Sequence, residues 1–238
     1  MTKGADIEKK KEHIEHMFNN IAPHYDFLNH FLSLGIDRYW RYKAANILKS
    51  HAPARILDVA SGTGDFAIAV ARRLHPESIT GYDISEQMLR IGREKVQKKG
   101  LEGIISFRQG ASEDMPFEDA AFDAVTVAFG VRNFERLDLG LKEFERVLSK
   151  NGVAVILEFS RPRIFPVRQL YALYSHYMVP WLGRLFSRDA SAYRYLPQSV
   201  EAFPDGADFM AKLTQAGFGG VAQKRLTFGI VTIYIAEK

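Results

Sequence analysis

The chain has 238 residues, a length suited to one domain or to one domain with an added lobe. Hydrophobic residues make up 47% and charged residues 25%, an ordinary globular balance that excludes disordered, collagen-like and coiled-coil classes. Cysteine is absent, which rules out a disulfide framework, a thiolate nucleophile, zinc–thiolate sites and iron–sulfur clusters, and the net charge of +4 is too small to argue for a nucleic-acid partner.

The first 18 residues carry Lys9, Lys10 and Lys11 with no apolar run behind them, so they do not read as a signal peptide. No stretch approaches the ~18 apolar residues of a spanning helix. The expectation is a cytoplasmic protein that at most touches the inner face of a membrane. Ile14, Met17, Phe18 and Ile21 fall on one helical face, and Pro23 is expected to interrupt that helix. A second helix is expected over residues 38–49.

From residue 55 the pattern alternates between strands and helices. Residues 55–59 (RILDV), 78–83 (SITGYD), 104–108, 122–129 (FDAVTVAF) and 152–159 (GVAVILEF) read as strands. Residues 66–74, 85–99 and 139–148 read as helices. This order implies a parallel sheet covered on both faces. Between Phe165 and Phe209 the pattern changes, with 10 aromatics in 45 residues, about twice the chain average of 12%. Val167, Leu170, Tyr171, Tyr174, Tyr177, Met178, Trp181, Leu182 and Leu185 follow helical spacing, with a kink expected at Pro180. Such a stripe reads either as core or as a greasy channel. Arg161, Arg163, Arg168, Arg184 and Arg188 flank it, either as a solvated face or as contacts to anionic headgroups. A helix over 208–216 and an antiparallel hairpin of 221–224 with 229–235 close the chain. The divisions are therefore 1–50, an N-terminal helical lid; 51–160, an α/β core; 161–207, an aromatic-rich helical insertion; and 208–238, a helix and hairpin completing the sheet.

The strongest constellation is LDVASGTGD, residues 57–65. A strand ends, Gly62 and Gly64 allow a tight turn, and a helix begins, bringing backbone N–H groups close to a ligand. Asp83 ends the next strand, where a carboxylate suits the two hydroxyls of a ribose. Gly62-x-Gly64-x-x-Ala67 fits a dinucleotide fingerprint, so a nicotinamide or flavin cofactor stays open. Asp58 and Asp65 at the turn would repel a pyrophosphate and suit the cationic methionyl end of S-adenosylmethionine, and a purely structural turn is the third reading. Residues 110–114 (GASED) follow the third strand, where small side chains and backbone could read an adenine edge, or form only a solvated loop.

Four elements together resemble the quinone-biosynthesis C-methyltransferases of the UbiE/MenG type: Tyr25-Asp26-Phe27-Leu28-Asn29 with Ser33 and Trp40; LDVASGTGD with Asp83; Phe129-Gly130-Val131-Arg132-Asn133; and Arg146-Val147-Leu148 leading to Gly152 and Glu158-Phe159-Ser160. The resemblance covers nearly the whole chain. It implies a class I S-adenosylmethionine-dependent methyltransferase fold, Rossmann-like α/β, with a seven-stranded mostly parallel sheet, an antiparallel last strand and an N-terminal helical lid. It implies cofactor contacts at Thr63, Asp83 and Ala111–Ser112, beside Gly62, Gly64 and Asp58 of the turn; a shift to Gly110–Ala111 is the alternative register. The implied substrate is a reduced naphthoquinol, demethylmenaquinol, with a long isoprenoid tail; Ala128 stands where the ubiquinone branch often has Ser, and Asp37 where a His is usual. No metal or covalent intermediate is required.

For the quinol, Arg132 and Asn133 follow the fourth strand at the ligand-binding edge. An arginine stabilises a phenolate oxygen, and an asparagine hydrogen-bonds a ring oxygen. Tyr25 joins them as a catalytic candidate, with His24, Asp26 and Asp37 as further groups that could take the phenolic proton. The competing classes are a ubiquinone-precursor methyltransferase, an NAD(P)-dependent oxidoreductase and a non-catalytic subunit of a quinone-synthesis assembly.

Overall fold

A computed structural model describes residues 3–178 and 191–238. The chain builds strands β1 (Arg55–Val59), β2 (Ser78–Asp83), β3 (Ile105–Gln109), β4 (Phe122–Ala128), β5 (Leu148–Phe159), β6 (Gly220–Leu226) and β7 (Val231–Glu237) into one sheet of order β3-β2-β1-β4-β5-β7-β6. β1 to β5 pair in parallel, while β7 runs antiparallel to both β5 and β6. Strand order reverses between β1 and β4, which opens a crevice at the carboxyl ends of those strands. This is the doubly covered α/β fold expected, with the last strand antiparallel.

Period-two alternation sorts the strand residues onto two cores. Leu57, Val59, Val125, Val127, Ala154 and Ile156 pack under α5 (Leu137–Val147) and α8 (Ala207–Ala216), against Phe144 and Phe209. Ile56, Ala124, Val153, Val155 and Leu157 face α2 (Ile36–Ile47), α3 (Asp65–Leu74) and α4 (Glu86–Lys98), meeting Trp40, Phe66 and Val96. Ser85 caps α4, accepting from the Met88 amide at 3.2 Å.

Three expectations change. α1 (Lys3–Leu32) runs through Pro23 instead of stopping there. Pro23 is exposed, so the helical carbonyl it leaves without a donor falls on the solvent side, where water can serve it. β5 begins at Leu148, four residues earlier than the apolar run, with Asn151 in a left-handed conformation and an irregular register against β4 between Phe122 and Ala124. The aromatic stripe is only partly core over its described part, where Tyr174 packs against the cluster of Met17, Ile21, Ala22 and Met88. α6 (Val167–Leu173) and the wider turn Tyr174–Met178 leave Leu170 62% and Tyr177 70% exposed. Pro180, Trp181, Leu182, Arg184, Leu185 and Arg188 lie outside the described residues. The chain resumes as α7 (Ser191–Ala202).

Asp58 sits in β1 beneath the Gly turn, 1% exposed, accepting a 2.7 Å bond from the Thr126 hydroxyl. Burial pushes its carboxyl up to about 7, against the pull of that bond. The folded chain therefore keeps a proton on Asp58 over a pH range in which the unfolded chain has released it. Stability from this group is present below the ordinary carboxylate pKa and is lost as pH rises through about 7. At roughly 1.4 kcal/mol per pH unit of separation, the cost reaches a few kcal/mol. Asp58→Asn keeps an acceptor for Thr126 and cannot ionise. The variant should gain melting temperature relative to wild type as pH is raised from about 5 to 8; parallel melting curves for the two proteins across that range would refute the buried titration.

Candidate active site

The Gly turn follows β1 directly. Ala60, Gly62 and Gly64 all take left-handed backbone, and Gly64, at φ 79°, starts α3. The Gly62 amide donates to Asp83 Oδ2 at 2.8 Å, and the Ser85 amide donates to Asp83 Oδ1 at 2.9 Å. The carboxylate at the end of β2 is thus fixed in place. Burial pushes it up from its usual range, and the two amides pull the other way. The segment after β3 is tied to the same strand, since the Gly110 amide donates to the Asp83 carbonyl at 3.0 Å and Tyr82 Oη donates to the Ala111 carbonyl at 3.3 Å. Gly110 must be glycine, because a Cβ there would lie 1.8 Å from Tyr82 Oη.

These segments wall a cleft of about 760 Å³ at the carboxyl edge of the sheet. Ala60, Gly62, Asp83, Ala111, Ser112 and Asn133 line it, and Ile14, Phe18 and Tyr25 of α1 cover it. The wall carries three carboxylates, Asp83, Glu113 and Glu135, and among the described residues no Lys, Arg or His. Asn133 Oδ1 is buried there without a hydrogen-bond partner. A wall of this charge disfavours a pyrophosphate and suits a cation. The chemistry of S-adenosylmethionine fits such a wall, with a ribose that carboxylates can take and an ammonium and a sulfonium that suit acceptors.

A second cavity of about 1680 Å³ adjoins the first and is walled mostly by apolar side chains from α1, α2, α6 and α7. Phe18, Tyr25 and Phe129 belong to both walls. The short turn Val131–Asn133 sends its two polar residues to different sides, Asn133 to the cleft and Arg132 to the apolar cavity. Arg132 is held firmly. Nη1 donates to Glu158 Oε1 at 2.8 Å and to the Phe129 carbonyl, Nε donates to Ser199 Oγ at 3.3 Å, and the guanidinium lies over the Phe159 ring. Burial opposes its charge, but Glu158 and Tyr25 more than offset this and the guanidinium is held above its ordinary value. Tyr25 is hydrogen-bonded to Asn29, and burial pushes its phenol up against the pull of Arg132.

Not every expected residue reaches the cleft. Asp58 lies beneath it, and Thr63 and Gly64 are not on its wall. The Thr63 hydroxyl turns instead to Asp26 of α1, at 2.5 Å, and receives a 3.0 Å bond from Lys95 Nζ. Lys95 also pairs with Asp26, at 2.6 Å, and with Asp65. Asp37 lines the apolar cavity, where Ser33, His30 and Arg41 all donate to it. Burial works against its ionisation, but Arg41 with His30 and Ser33 still holds it below the usual carboxylate range, which makes it a weak base. The side chain of His24 lies outside the described residues. Glu158, Ser199 and Lys95 were not read from the sequence as site residues. Glu158 carried a signal, as an acid inside the apolar run of β5; Lys95, one lysine among several on α4, carried none.

The ubiE/COQ5 methyltransferase family model matches residues 6–238. A Bacteroides fragilis protein named demethylmenaquinone methyltransferase is 54% identical over 230 residues, which cover 97% of this chain and 94% of that one. A Geotalea daltonii protein named ubiquinone/menaquinone biosynthesis C-methyltransferase UbiE is 46% identical over 98% of this chain and 99% of its own. Among solved structures, a Thermotoga maritima S-adenosylmethionine-dependent methyltransferase, described as a possible histamine N-methyltransferase, superposes with a TM-score of 0.67 at 19% identity, over 94% of this chain and 99% of that one, a likeness of fold. By the match along nearly all its length, the chain belongs to the ubiE/COQ5 methyltransferase family.

Proposed function

We propose that this chain transfers the methyl group of S-adenosylmethionine to the ring carbon of demethylmenaquinol, giving menaquinol. The observation that carries the reading is the meeting of an acidic cleft and a large apolar cavity at Tyr25 and Phe129, with Asn133 on one side and Arg132 on the other. The name demethylmenaquinone methyltransferase, carried by relatives in Bacteroides fragilis, Porphyromonas gingivalis and Chlorobaculum tepidum, supports menaquinone chemistry. The carboxylate-lined cleft argues against a nicotinamide dinucleotide. No helix of the described residues is long and apolar enough to cross a membrane. A substrate with an isoprenoid tail lives in a bilayer, which supports peripheral membrane contact for the enzyme.

S-Adenosylmethionine, when bound, supplies a methyl group made electrophilic by its sulfonium. Asp83 holds the ribose hydroxyls, Ala111 and Ser112 border the adenine, and Asn133 Oδ1 accepts from the ammonium. Tyr25 and Phe129 set the narrow approach between donor and quinol ring, where a separation of ~3–3.5 Å favours transfer. Arg132, kept charged by Glu158, stabilises the ring oxygen once its proton has passed to a water at the ring. The oxyanion pushes electron density onto the reacting carbon, which takes the methyl as S-adenosylhomocysteine is released and then gives up its own hydrogen to water. Arg132 is not itself a base, because the guanidinium, protonated throughout, is held above its already high ordinary value. The α1 helix closes the cleft against water. Within residues 1–50 the lid is α1, while α2 packs into the core through Trp40. Residues 51–160 hold the cofactor, 161–207 the quinol and its tail, and 208–238 complete the sheet.

Three measurements test this reading. Asp83→Ala should weaken binding of S-adenosylhomocysteine about 10- to 100-fold in calorimetry, the loss expected for charged hydrogen bonds; an unchanged affinity removes Asp83 from the site. Arg132→Lys keeps the charge but loses the planar fork that reaches Glu158, Phe129 and Ser199 at once. Turnover should fall on the order of 100-fold while donor affinity stays nearly constant; lost donor binding with intact turnover would reverse the assignment. Leu170 lines the apolar cavity and is largely exposed, so Leu170→Ser should leave folding intact. It should raise the Michaelis constant for long-tailed demethylmenaquinol several-fold more than for a short-tailed analogue, at up to about 0.8 kcal/mol per tail methylene that loses contact. Equal effects on both substrates would put the tail elsewhere. Tyr174 is less suitable for this test because its hydroxyl also ties the segment to the Leu32 carbonyl of α1.

A further inference from the structure

Three segments border the mouth of the apolar cavity: the turn after α1, the stretch leading into α6, and the turn between β6 and β7. Contacts from these segments and from the adjoining α2 and Tyr174 hold the rim together. Tyr174 Oη donates to the Leu32 carbonyl, Trp40 Nε1 donates to Thr227 Oγ1 at 2.7 Å, and a Cβ on Gly229 would lie 3.8 Å from the Pro162 Cα. Each segment exposes a large apolar side chain: Leu34 is 81%, Phe165 78% and Phe228 69% exposed. Two of these positions are strained. Leu34 and Phe228 hold left-handed backbone, at φ 52° and 57°, a region bulky residues avoid. Strain that persists in order to hold apolar side chains in water points to something that covers them.

Charge at the same rim indicates what does so. Arg225 reaches from Gly229, beside Phe228, to Gly206, where its Nη2 would lie 3.0 Å and Arg163 Nη2 3.6 Å from an added Cβ. Arg161 stands beside them, paired with Asp205 at 2.6 Å. Arg161 takes the Asp205 carboxylate, and neither Arg163 nor Arg225 makes an ion pair among the described residues. A soluble protein partner covering Phe165 and Phe228 would have to match both apolar and cationic surfaces in detail. A bilayer with anionic headgroups offers both without matching.

We propose that this rim is a membrane-docking face: Leu34, Phe165 and Phe228 enter the interfacial layer of the bilayer, and Arg163 and Arg225 bind anionic headgroups, so that the apolar cavity opens directly onto the lipid. The proposal rests on the reading that the cavity takes a tailed quinol. The direction of entry follows from it, since the tail passes from bilayer to cavity without crossing water.

Vesicle flotation tests the face without any methyl transfer. The full chain should bind phosphatidylglycerol-containing vesicles, bind pure phosphatidylcholine vesicles far less, and be released by salt. Phe165→Ser/Phe228→Ser should lower partition about tenfold or more, and Arg163→Gln/Arg225→Gln should abolish the preference for the anionic lipid. Neither pair lines the two cavities. Both should therefore keep the wild-type melting temperature and wild-type turnover of a short-tailed, water-soluble quinol. Wild-type protein that stays off anionic vesicles, or variants that bind as wild type does, would overturn the docking face. A wild-type dimer in sedimentation that the Phe165→Ser/Phe228→Ser pair dissolves would assign the face to a second copy of the chain instead. Vesicle binding as expected without turnover of any quinol would count against the methyltransfer reading and leave the face standing.

Discussion

The site is organised around one buried ion pair, Arg132 with Glu158. Glu158 is fully buried near the end of β5, and the Arg132 side chain is only 7% exposed. Removing two charges from water is costly, and the pair is tolerable because the remaining hydrogen-bonding capacity is used. Glu158 also accepts from the Arg132 and Phe159 amides, while the guanidinium donates to the Phe129 carbonyl and to Ser199. The pair therefore does more than join two side chains. It locks the Val131–Asn133 turn onto β5, fixes Phe129 in its left-handed conformation at the junction of the cavities, and leaves Asn133 facing the opposite way. Removing either partner would strand a buried charge, at a cost of about 3–5 kcal/mol. The geometry on both sides of the junction depends on both residues.

A second set of charges fixes α1 over that junction. Lys95 of α4 pairs with Asp26 of α1 and Asp65 of α3, and the Thr63 hydroxyl completes the cluster. At the far end of α1, His30 and Ser33 donate to Asp37 at the start of α2. The Gly turn is thereby tied on one side to β2, through Gly62 and Asp83, and on the other to the lid, through Thr63 and Asp26. Thr63, a cofactor position in the sequence resemblance, serves in this arrangement as the contact between turn and lid.

Much of the fold was legible because its causes are local. β1 and β2 end where the apolar run meets a turn residue, and the parallel order follows from strands alternating with helices. Asp83 and the 110–112 segment were readable for the same reason: each stands at the carboxyl end of a strand, where such sheets bind ligands. Features set by long-range contact were not. Pro23 predicts a break by its chemistry, and only the exposure of that face in the tertiary structure removes the penalty. Glu158 stands where every neighbour is apolar, and nothing in the local pattern says that an arginine 26 residues earlier will reach it. The aromatic stripe at 167–178 has the spacing of a core helix; its role as a rim depends on α1 and α7 leaving a cavity beside it.

The distribution of packing then says how the site opens. The two faces of the sheet share large cores, whereas α1 rests on a small cluster of Met17, Ile21, Ala22 and Met88 together with partly exposed ion pairs. α6 buries no residue and α1 adds only that cluster and its ion pairs, so the elements over the two cavities are held less firmly than the sheet. Phe18 and Tyr25 of α1 wall both cavities. Displacement of α1 would therefore open the acidic cleft and the apolar cavity together. Under the proposed function, a donor that holds α1 down would complete the wall beside the quinol ring, and a bound quinol would do the same for the donor. Coupling through a shared lid of this kind is reciprocal by necessity. It also places the water-excluding step at the point where both reactants are present, which is where a positioned methyl donor most needs protection from solvent.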